Sequence, residues 1–424
     1  MAPNPFFNEE FLSLRHFPLG GVGERIEQLR LLTCIFIAAS CRAAPMTLEQ
    51  AIAETISRHP LLAAADGRIS TAQGLLEQAA LRPNPRLAFQ VENLRGPWQG
   101  SFNYARDTDN FVWLSQTIET AKKRQYRSEL AGVNRQVAES ARLLLQQQLV
   151  ARVKQAWWNA VGTERARVIY EETQKTFAQI VDYHVIRVRE GSMAEADLIR
   201  VRLEAERFAL AANNATLSAE RAKIGLQREI GRSEFGALEL ADTLENPTAA
   251  PTAGERGELV LARNAIAAAR ANQQLQVAQA RPNFDVLGGY KHTMGQETAL
   301  VGLQIDLPVY NKNQGNVAAA VAEIRVAENN LKASEAMIKA ELKTAEVEVR
   351  LRKKQVDETL GPLRQQAMDT SRIAQAAYRE GGTDLLRLLD AERLRLETQL
   401  IFVQALVEYR IAVVNLETAM GANQ

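Results

Sequence analysis

Side chains able to do chemistry are few in this chain, and they are scattered. Its four histidines are His16, His59, His184 and His292, and its only thiols are Cys34 and Cys41. Structural zinc sites and nucleophile–base pairs need such groups at short, ordered spacing. The sequence shows no zinc spacing, no phosphate loop and no nucleophile motif, so it points away from an enzyme and implies no cofactor and no tight metal site. A net charge of +1 supplies no field for nucleic acid. The basic run Lys122-Lys123-Arg124 reads as a solvated collar at a strand-to-helix junction. Trp157 and Trp158 are adjacent on a helix and face different ways, so at most one of them is expected in the inter-helix core.

Both thiols lie near the N-terminus. Residues 31–40, LLTCIFIAAS, are a ten-residue apolar run behind Arg25 and Arg30. The run is too short to span a bilayer and has the length of an export-signal core. Small residues continue through Ala44, so 1–44 reads as a leader, with cleavage expected near Ala43 or Ala44. Pro3, Pro5, Gly20, Gly21 and Gly23 are foreign to a leader, and translation is expected to start later, at Val22. Cys41 is a weaker alternative, as a lipidation site: Ser40 before it fits, whereas Ala38 matches poorly.

The elements that must position everything else come in two copies. Arg189-Glu190-Gly191-Ser192 recurs as Arg379-Glu380-Gly381-Gly382, and Arg82-Pro83-Asn84 recurs as Arg281-Pro282-Asn283. The period is near 190 residues, so this is a duplicated domain rather than a solenoid repeat. The first copy is 45–241, the Pro/Ala/Thr-rich stretch 242–257 links the copies, and the second is 258–424. Thr47 and Gln50 make a capping box that opens a helix expected to run to about Leu81. Leu87, Phe89 and Val91 alternate with polar residues as in a strand. After a loop at 95–110, a second strand is expected at 111–118, then a helix to about 188, the Gly191 turn, and a helix over 193–230. The second copy predicts a helix at 258–280, strands at 283–292 and 299–307, a helix over 316–378 kinked at Gly361-Pro362, the Gly381 turn, and a helix over 384–420. In that last helix Leu385, Leu389, Leu396, Leu400, Val403, Val407, Ile411 and Val414 keep a three-or-four spacing.

The longest helix comes to roughly 100 Å, with two shorter ones laid end to end beside it. The strands fall at one end of this rod and the glycine turns at the other. Two hairpins per chain cannot close a barrel, and open edges are a liability. Closure needs several copies. Strands of this length suit a bilayer-crossing barrel, and Phe89, Trp98, Phe102, Tyr104, Phe111, Trp113 and Tyr290 flank them as an aromatic girdle would.

With these passages in place, the sequence resembles the TolC family of outer-membrane efflux channels. Within it, the chain resembles the outer-membrane component of cobalt–zinc–cadmium type heavy-metal RND efflux systems. The resemblance covers roughly 46–421. It rests on Arg82-Pro83-Asn84-Pro85, on Leu114-Ser115-Gln116 leading to Lys122-Lys123-Arg124, on Leu307-Pro308-Val309-Tyr310-Asn311-Lys312-Asn313-Gln314-Gly315, and on the paired glycine turns. It implies a mostly α fold with a small β part, built from a duplicated αββα unit. It implies a homotrimer whose twelve strands form one barrel in outer-membrane lipid, continued by a periplasmic coiled-coil tunnel. The tunnel would dock on a periplasmic adaptor joined to an inner-membrane pump. Drug or solvent export, polypeptide secretion, and a periplasmic coiled-coil scaffold are the alternatives. The resemblance places adaptor contacts at Glu190, Gly191 and Ser192 and at Glu380, Gly381, Gly382 and Thr383. It places a periplasmic gate at Asp197 and Asp390. Where many members carry a further aspartate this chain has Arg387, which is expected to pair with Asp390 or Asp384.

Overall fold

The computed structural model describes residues 45–422, apart from 97, 99, 248–251 and 294. The expected leader, its cleavage positions and Cys41 lie outside the described residues. Helices α1 (Leu48–Arg58) and α2 (Pro60–Ala79) precede strand β1 (Arg86–Glu92). Then come a one-turn helix α3 (Tyr104–Asp107), strand β2 (Asp109–Ile118) and helices α4 (Lys123–Arg189) and α5 (Glu195–Ile230). The second copy holds α6 (Gly257–Gln279), β3 (Phe284–Thr293), β4 (Gln296–Ile305), α7 (Gln314–Lys354), a π-helical turn (Gln355–Leu360), α8 (Gly361–Arg379) and α9 (Leu385–Ala419).

The capping box at Thr47 forms in both directions: the Thr47 hydroxyl accepts from the Gln50 amide, and the Gln50 side chain accepts from the Thr47 amide. The helix it opens does not reach Leu81 unbroken. Pro60 has no amide proton and forces His59 into extended backbone at φ −65°, ψ 125°. His59 then starts the next helix, its Nδ1 accepting from the Leu61 amide at 3.1 Å. In the second copy the break near Gly361-Pro362 begins earlier than expected. The proline ring would strike the carbonyl four residues back, and the preceding turn widens to the π form to make room. Val356 and Leu360 of that turn are buried.

α4 runs for 67 residues, roughly 100 Å. It packs along α2, α5, α6 and α9, and α9 also packs against α7 and α8. Both α4 and α7 start after a residue in left-handed backbone, Lys122 and Asn313, each at φ 59°. The duplication is thus visible in the backbone. The midsection core gathers Val153, Trp157, Trp158, Val161, Leu226, Ile230, Phe402, Val403, Leu406 and Val414. Both tryptophans are buried here, against the sequence expectation, because α4 has neighbours on more than one flank: α5 lies along it and so does α9. Trp158 lies under the Arg410 guanidinium at 4.8 Å. Arg410 donates to the carbonyls of Thr243, Leu244 and Asn246, which binds the inter-copy segment to α9. Leu385, Leu389, Leu396, Val403 and Val414 of the expected seam are buried. α9 is long and apolar enough to cross a membrane by composition, but 56% of its most apolar window is buried among the other helices.

The four strands form one antiparallel sheet in the order β1-β2-β3-β4, with β2 and β3 joining the two copies. Its register places Leu87, Phe89, Val112, Leu114, Ile118, Val286, Tyr290, Val301, Leu303 and Ile305 on one face. That face is exposed, up to 83% at Val301. Phe111 and Trp113 stand opposite Gln90 and Ala88 on the other face, so they leave the girdle expected of them. β1 and β4 each keep one edge unpaired within the chain. At the base of the sheet the basic collar is only partly solvated. Lys122 and Arg124 are exposed, but Lys123 is buried, its Nζ donating to the Arg281 carbonyl and to Asn283 Oδ1, both at 2.5 Å. The reason is the duplication: Arg281-Pro282-Asn283 of the second copy lies beside the first copy's strand-to-helix junction.

Candidate functional site at the helical turns

The two glycine turns close α4 and α8 in the same way. At the first, the Gly191 amide donates to the Val188 carbonyl and the Ser192 amide to the Arg187 carbonyl, at 3.0 and 2.9 Å. At the second, Gly381 donates to Tyr378 and Gly382 to Ala377, at 3.2 and 2.8 Å. Each is a Schellman ending, which needs left-handed backbone at its glycine. Gly191 has φ 71° and Gly381 φ 74°. A methyl group at either glycine would meet nothing within 4 Å, so only backbone strain selects glycine and the surface beside it stays open. Glu190, Ser192, Glu380 and Gly382 are exposed, while Thr383 is half-buried.

The two turns lead into differently built helix starts. α9 is capped by Asp384, whose Oδ1 accepts from the Arg387 amide at 2.9 Å. α5 begins after Ala194 with no side-chain cap, and carries Glu195 and Asp197 in its first turn, where the helix dipole favours a carboxylate. Arg387 faces Asp384 at 3.9 Å across two well-exposed side chains. Of its two expected partners it therefore takes the cap. Asp390 turns instead to Arg393, at 3.7 Å.

A buried histidine and a half-buried tyrosine that sequence reasoning missed tie the two copies above the turns. His184 is fully buried. Its Nδ1 lies 2.7 Å from the Ile180 carbonyl, and its Nε2 lies 2.8 Å from the Tyr378 hydroxyl. A carbonyl only accepts, so Nδ1 carries the proton, and Tyr378 donates to Nε2. Burial, with Tyr183 and Asp197 nearby, pushes the Tyr378 hydroxyl up to about 12, which keeps it a donor. The available signal was position: His184 and Tyr378 lie seven and three residues before their glycines. Phe177, Val201, Leu385 and Leu389 form a second buried cluster across α4, α5 and α9.

No protein-family model matches the chain. The cobalt-zinc-cadmium resistance protein CzcC of Cupriavidus metallidurans is 22% identical over 391 residues, covering 89% of this chain and 91% of that protein. The solved CusC channel superposes with a TM-score of 0.74 at 18% identity, covering 88% of this chain and 91% of its own. The Campylobacter jejuni CmeC outer membrane channel gives 0.73 at 16%, over 89% of this chain and 86% of its own. The open-state Neisseria gonorrhoeae MtrE outer membrane channel gives 0.72 at 19%, over 89% of each. This is the TolC-like outer-membrane channel fold. In this chain the sheet and the glycine turns lie at opposite ends of the long helix α4. Among the described residues, no three His, Cys, Asp or Glu side chains are grouped to hold a metal ion.

Proposed function

We propose that this chain is the outer-membrane exit duct of a tripartite RND-type efflux system and exports heavy-metal cations. It works as a homotrimer. Three four-stranded sheets close edge to edge, β4 of one protomer beside β1 of the next, into a twelve-stranded barrel. The observation that carries this reading is the sheet itself: one face whose large apolar side chains, from Leu87 and Phe89 to Val301 and Leu303, are exposed, and an unpaired edge at either side. Such a face suits lipid, and such edges suit closure with further copies. Helices of roughly 100 Å then extend the duct away from the membrane. At their far end Glu190, Gly191 and Ser192, with Glu380, Gly381, Gly382 and Thr383, meet a periplasmic adaptor that links the duct to an inner-membrane pump. Asp197 and Asp390, repeated three times around an axis, favour cations at the entrance, and Arg387 moderates them.

The likeness to CzcC supports metal as cargo. The chain passes the ion and does not hold it; the pump supplies selectivity and drive. The duct chemistry is passive, so the chain is not an enzyme. The test is a deletion strain challenged with zinc, cobalt, cadmium, nickel, copper and a panel of drugs, with the protein followed by outer-membrane fractionation and heat-modifiable migration. Loss of tolerance to divalent metals, restored by the gene, is expected. Unchanged metal tolerance with lost drug tolerance would reassign the cargo.

A further inference from the structure

The two strand-to-helix junctions are built alike but charged differently. Lys122 and Asn313 occupy the same left-handed position, each at φ 59°, immediately before α4 and α7. From that position on, the first copy reads Lys122-Lys123-Arg124 and the second Asn313-Gln314-Gly315. The second copy makes its turn with no cation at any of the three, so the junction itself does not require Lys122 or Arg124. Asn313 turns inward, its Nδ2 donating to the Gln276 carbonyl at 2.7 Å. Lys123 is likewise engaged, by Arg281 and Asn283. Lys122 and Arg124 instead stay exposed, and so does Arg82 ahead of β1. These three cations line a cavity of about 510 Å³ together with Gln116 and Ile118 of β2. Gln116 Nε2 donates to the Pro83 carbonyl at 2.9 Å, which holds the Arg82-Pro83 segment beside the foot of β2. The carboxylate at the cavity, Glu119, is already taken by Arg127, which donates to both its oxygens at 2.6 and 3.2 Å. Among the described residues no carboxylate lies within ion-pair distance of Arg82, Lys122 or Arg124.

Gln116 and Ile118 stand on the same face of β2 as Val112 and Leu114, so the cavity opens on the apolar face of the sheet, at the end where α4 begins. We propose that this cavity binds the phosphate headgroup of an anionic phospholipid in the membrane leaflet nearest the helices, one lipid per protomer. The site rests on the channel reading above, which puts this face in lipid and α4 in water. At that boundary a phospholipid brings a phosphate to the level of the three cations, while its acyl chains run along Ile118 and Leu114. Like charges lining one cavity without a carboxylate repel one another, and an anion between them relieves the repulsion. Arginine takes a phosphate through two parallel N–H groups, and lysine supplies a point charge. Both side chains are long enough to lie along apolar surface and place their charge among headgroups. An anionic headgroup is favoured over a zwitterionic one, whose ammonium group offsets the attraction of its phosphate to the cluster. The second junction, with Asn313 and Gly315 in the corresponding places, lacks this charge.

The test uses the purified full-length oligomer, delipidated in neutral detergent and titrated with phosphatidylglycerol, phosphatidylcholine or inorganic phosphate. Native mass spectrometry counts the lipids bound. Wild type is expected to hold one phosphatidylglycerol per protomer and to bind it more tightly than phosphatidylcholine. Near an anionic headgroup each Lys or Arg is worth about fivefold in binding, so the double variant Lys122→Gln with Arg124→Gln is expected to weaken phosphatidylglycerol about 25-fold. Its effect on phosphatidylcholine is expected to be far smaller. Lys312→Gln removes a charge at the second junction and is expected to bind as wild type does. Equal affinity of wild type for the two lipids would overturn the site and leave the channel reading standing, as would a double variant that keeps phosphatidylglycerol. A loss in Lys312→Gln equal to that in the double variant would also overturn it, since binding would then follow net charge. Displacement of the lipid by an equal concentration of inorganic phosphate would overturn the lipid assignment in favour of a free anion. Protein that fractionates away from the outer membrane and binds neither lipid would overturn the site and the channel reading together. Should the double variant fail to assemble, the comparison of the two lipids on wild type still decides.

Discussion

Gly162 lies on α4 where Val407 of α9 packs against it, and adding one methyl group there separates two opposed effects. An alanine Cβ at 162 would sit 2.3 Å from Val407 Cγ2 and 3.6 Å from Val407 Cβ. Carbon contacts are favourable at about 3.5–4.0 Å, so the methyl group and Val407 overlap by more than 1 Å. Val407 is β-branched and holds essentially one rotamer in a helix, so it cannot turn away freely. Overpacking of this kind costs about 1–3 kcal/mol. Helix propensity opposes it, since alanine exceeds glycine by about 1 kcal/mol in a helix interior. The clash wins, and Gly162→Ala is expected to lose up to about 2 kcal/mol. In a Val407→Ala background the clash is gone, and the same change is expected to gain about 1 kcal/mol. The sign therefore reverses between backgrounds. The assay is thermal unfolding of the detergent-solubilised protein, followed by helical circular dichroism, for the two singles and the double. A Gly162→Ala protein melting at or above wild type would refute the close α4–α9 approach.

The turns and the core give further expected outcomes. Tyr378→Phe leaves His184 Nε2 buried without its donor, at a cost of about 1–3 kcal/mol, and faster amide exchange is expected at 180–190 with the sheet unaffected. At Gly191 or Gly381, asparagine is expected to be tolerated better than alanine, because left-handed backbone costs ordinary residues about 1–2 kcal/mol; pull-down of the adaptor and thermal melting both keep that order. Burial, helped by nearby Arg152, holds the His59 pKa below the ordinary imidazole value. The folded chain then binds fewer protons than the unfolded one. This contribution is complete above pH ~6.5 and is lost as the pH falls below that and through the lowered folded value. His59→Asn, which keeps a capping oxygen, is expected to flatten the acid side of a melting-temperature-against-pH curve. Arg410→Met strips three carbonyls of the inter-copy segment of their donor, and limited proteolysis is expected to cut within 242–257 where wild type resists.

Much of this protein was legible in its sequence. The duplication shows in Arg189-Glu190-Gly191 against Arg379-Glu380-Gly381. The strands show in alternation, the helices in their three-or-four spacing, and the turns in glycines that only left-handed backbone requires. These are local properties, set by backbone sterics and side-chain period, and a sequence displays them directly. The hidden features depend on which element lies beside which. Nothing adjacent in sequence marks Lys123 as buried, because its partners are Arg281 and Asn283. Trp157 and Trp158 both enter the core because α4 has neighbours on more than one flank. Arg387 had two local partners to choose from, while Asp390 found Arg393. Glu204 reads as one more charge on a solvated face until α9 brings Arg393 against it, 189 residues away in the chain. The sequence by itself determined the strands, the long helices, their copy number and the two ends of the rod, though not the break at His59-Pro60 or the π turn before Gly361. Only the tertiary structure decided which charges are buried and paired, because burial is a property of neighbours and not of a residue.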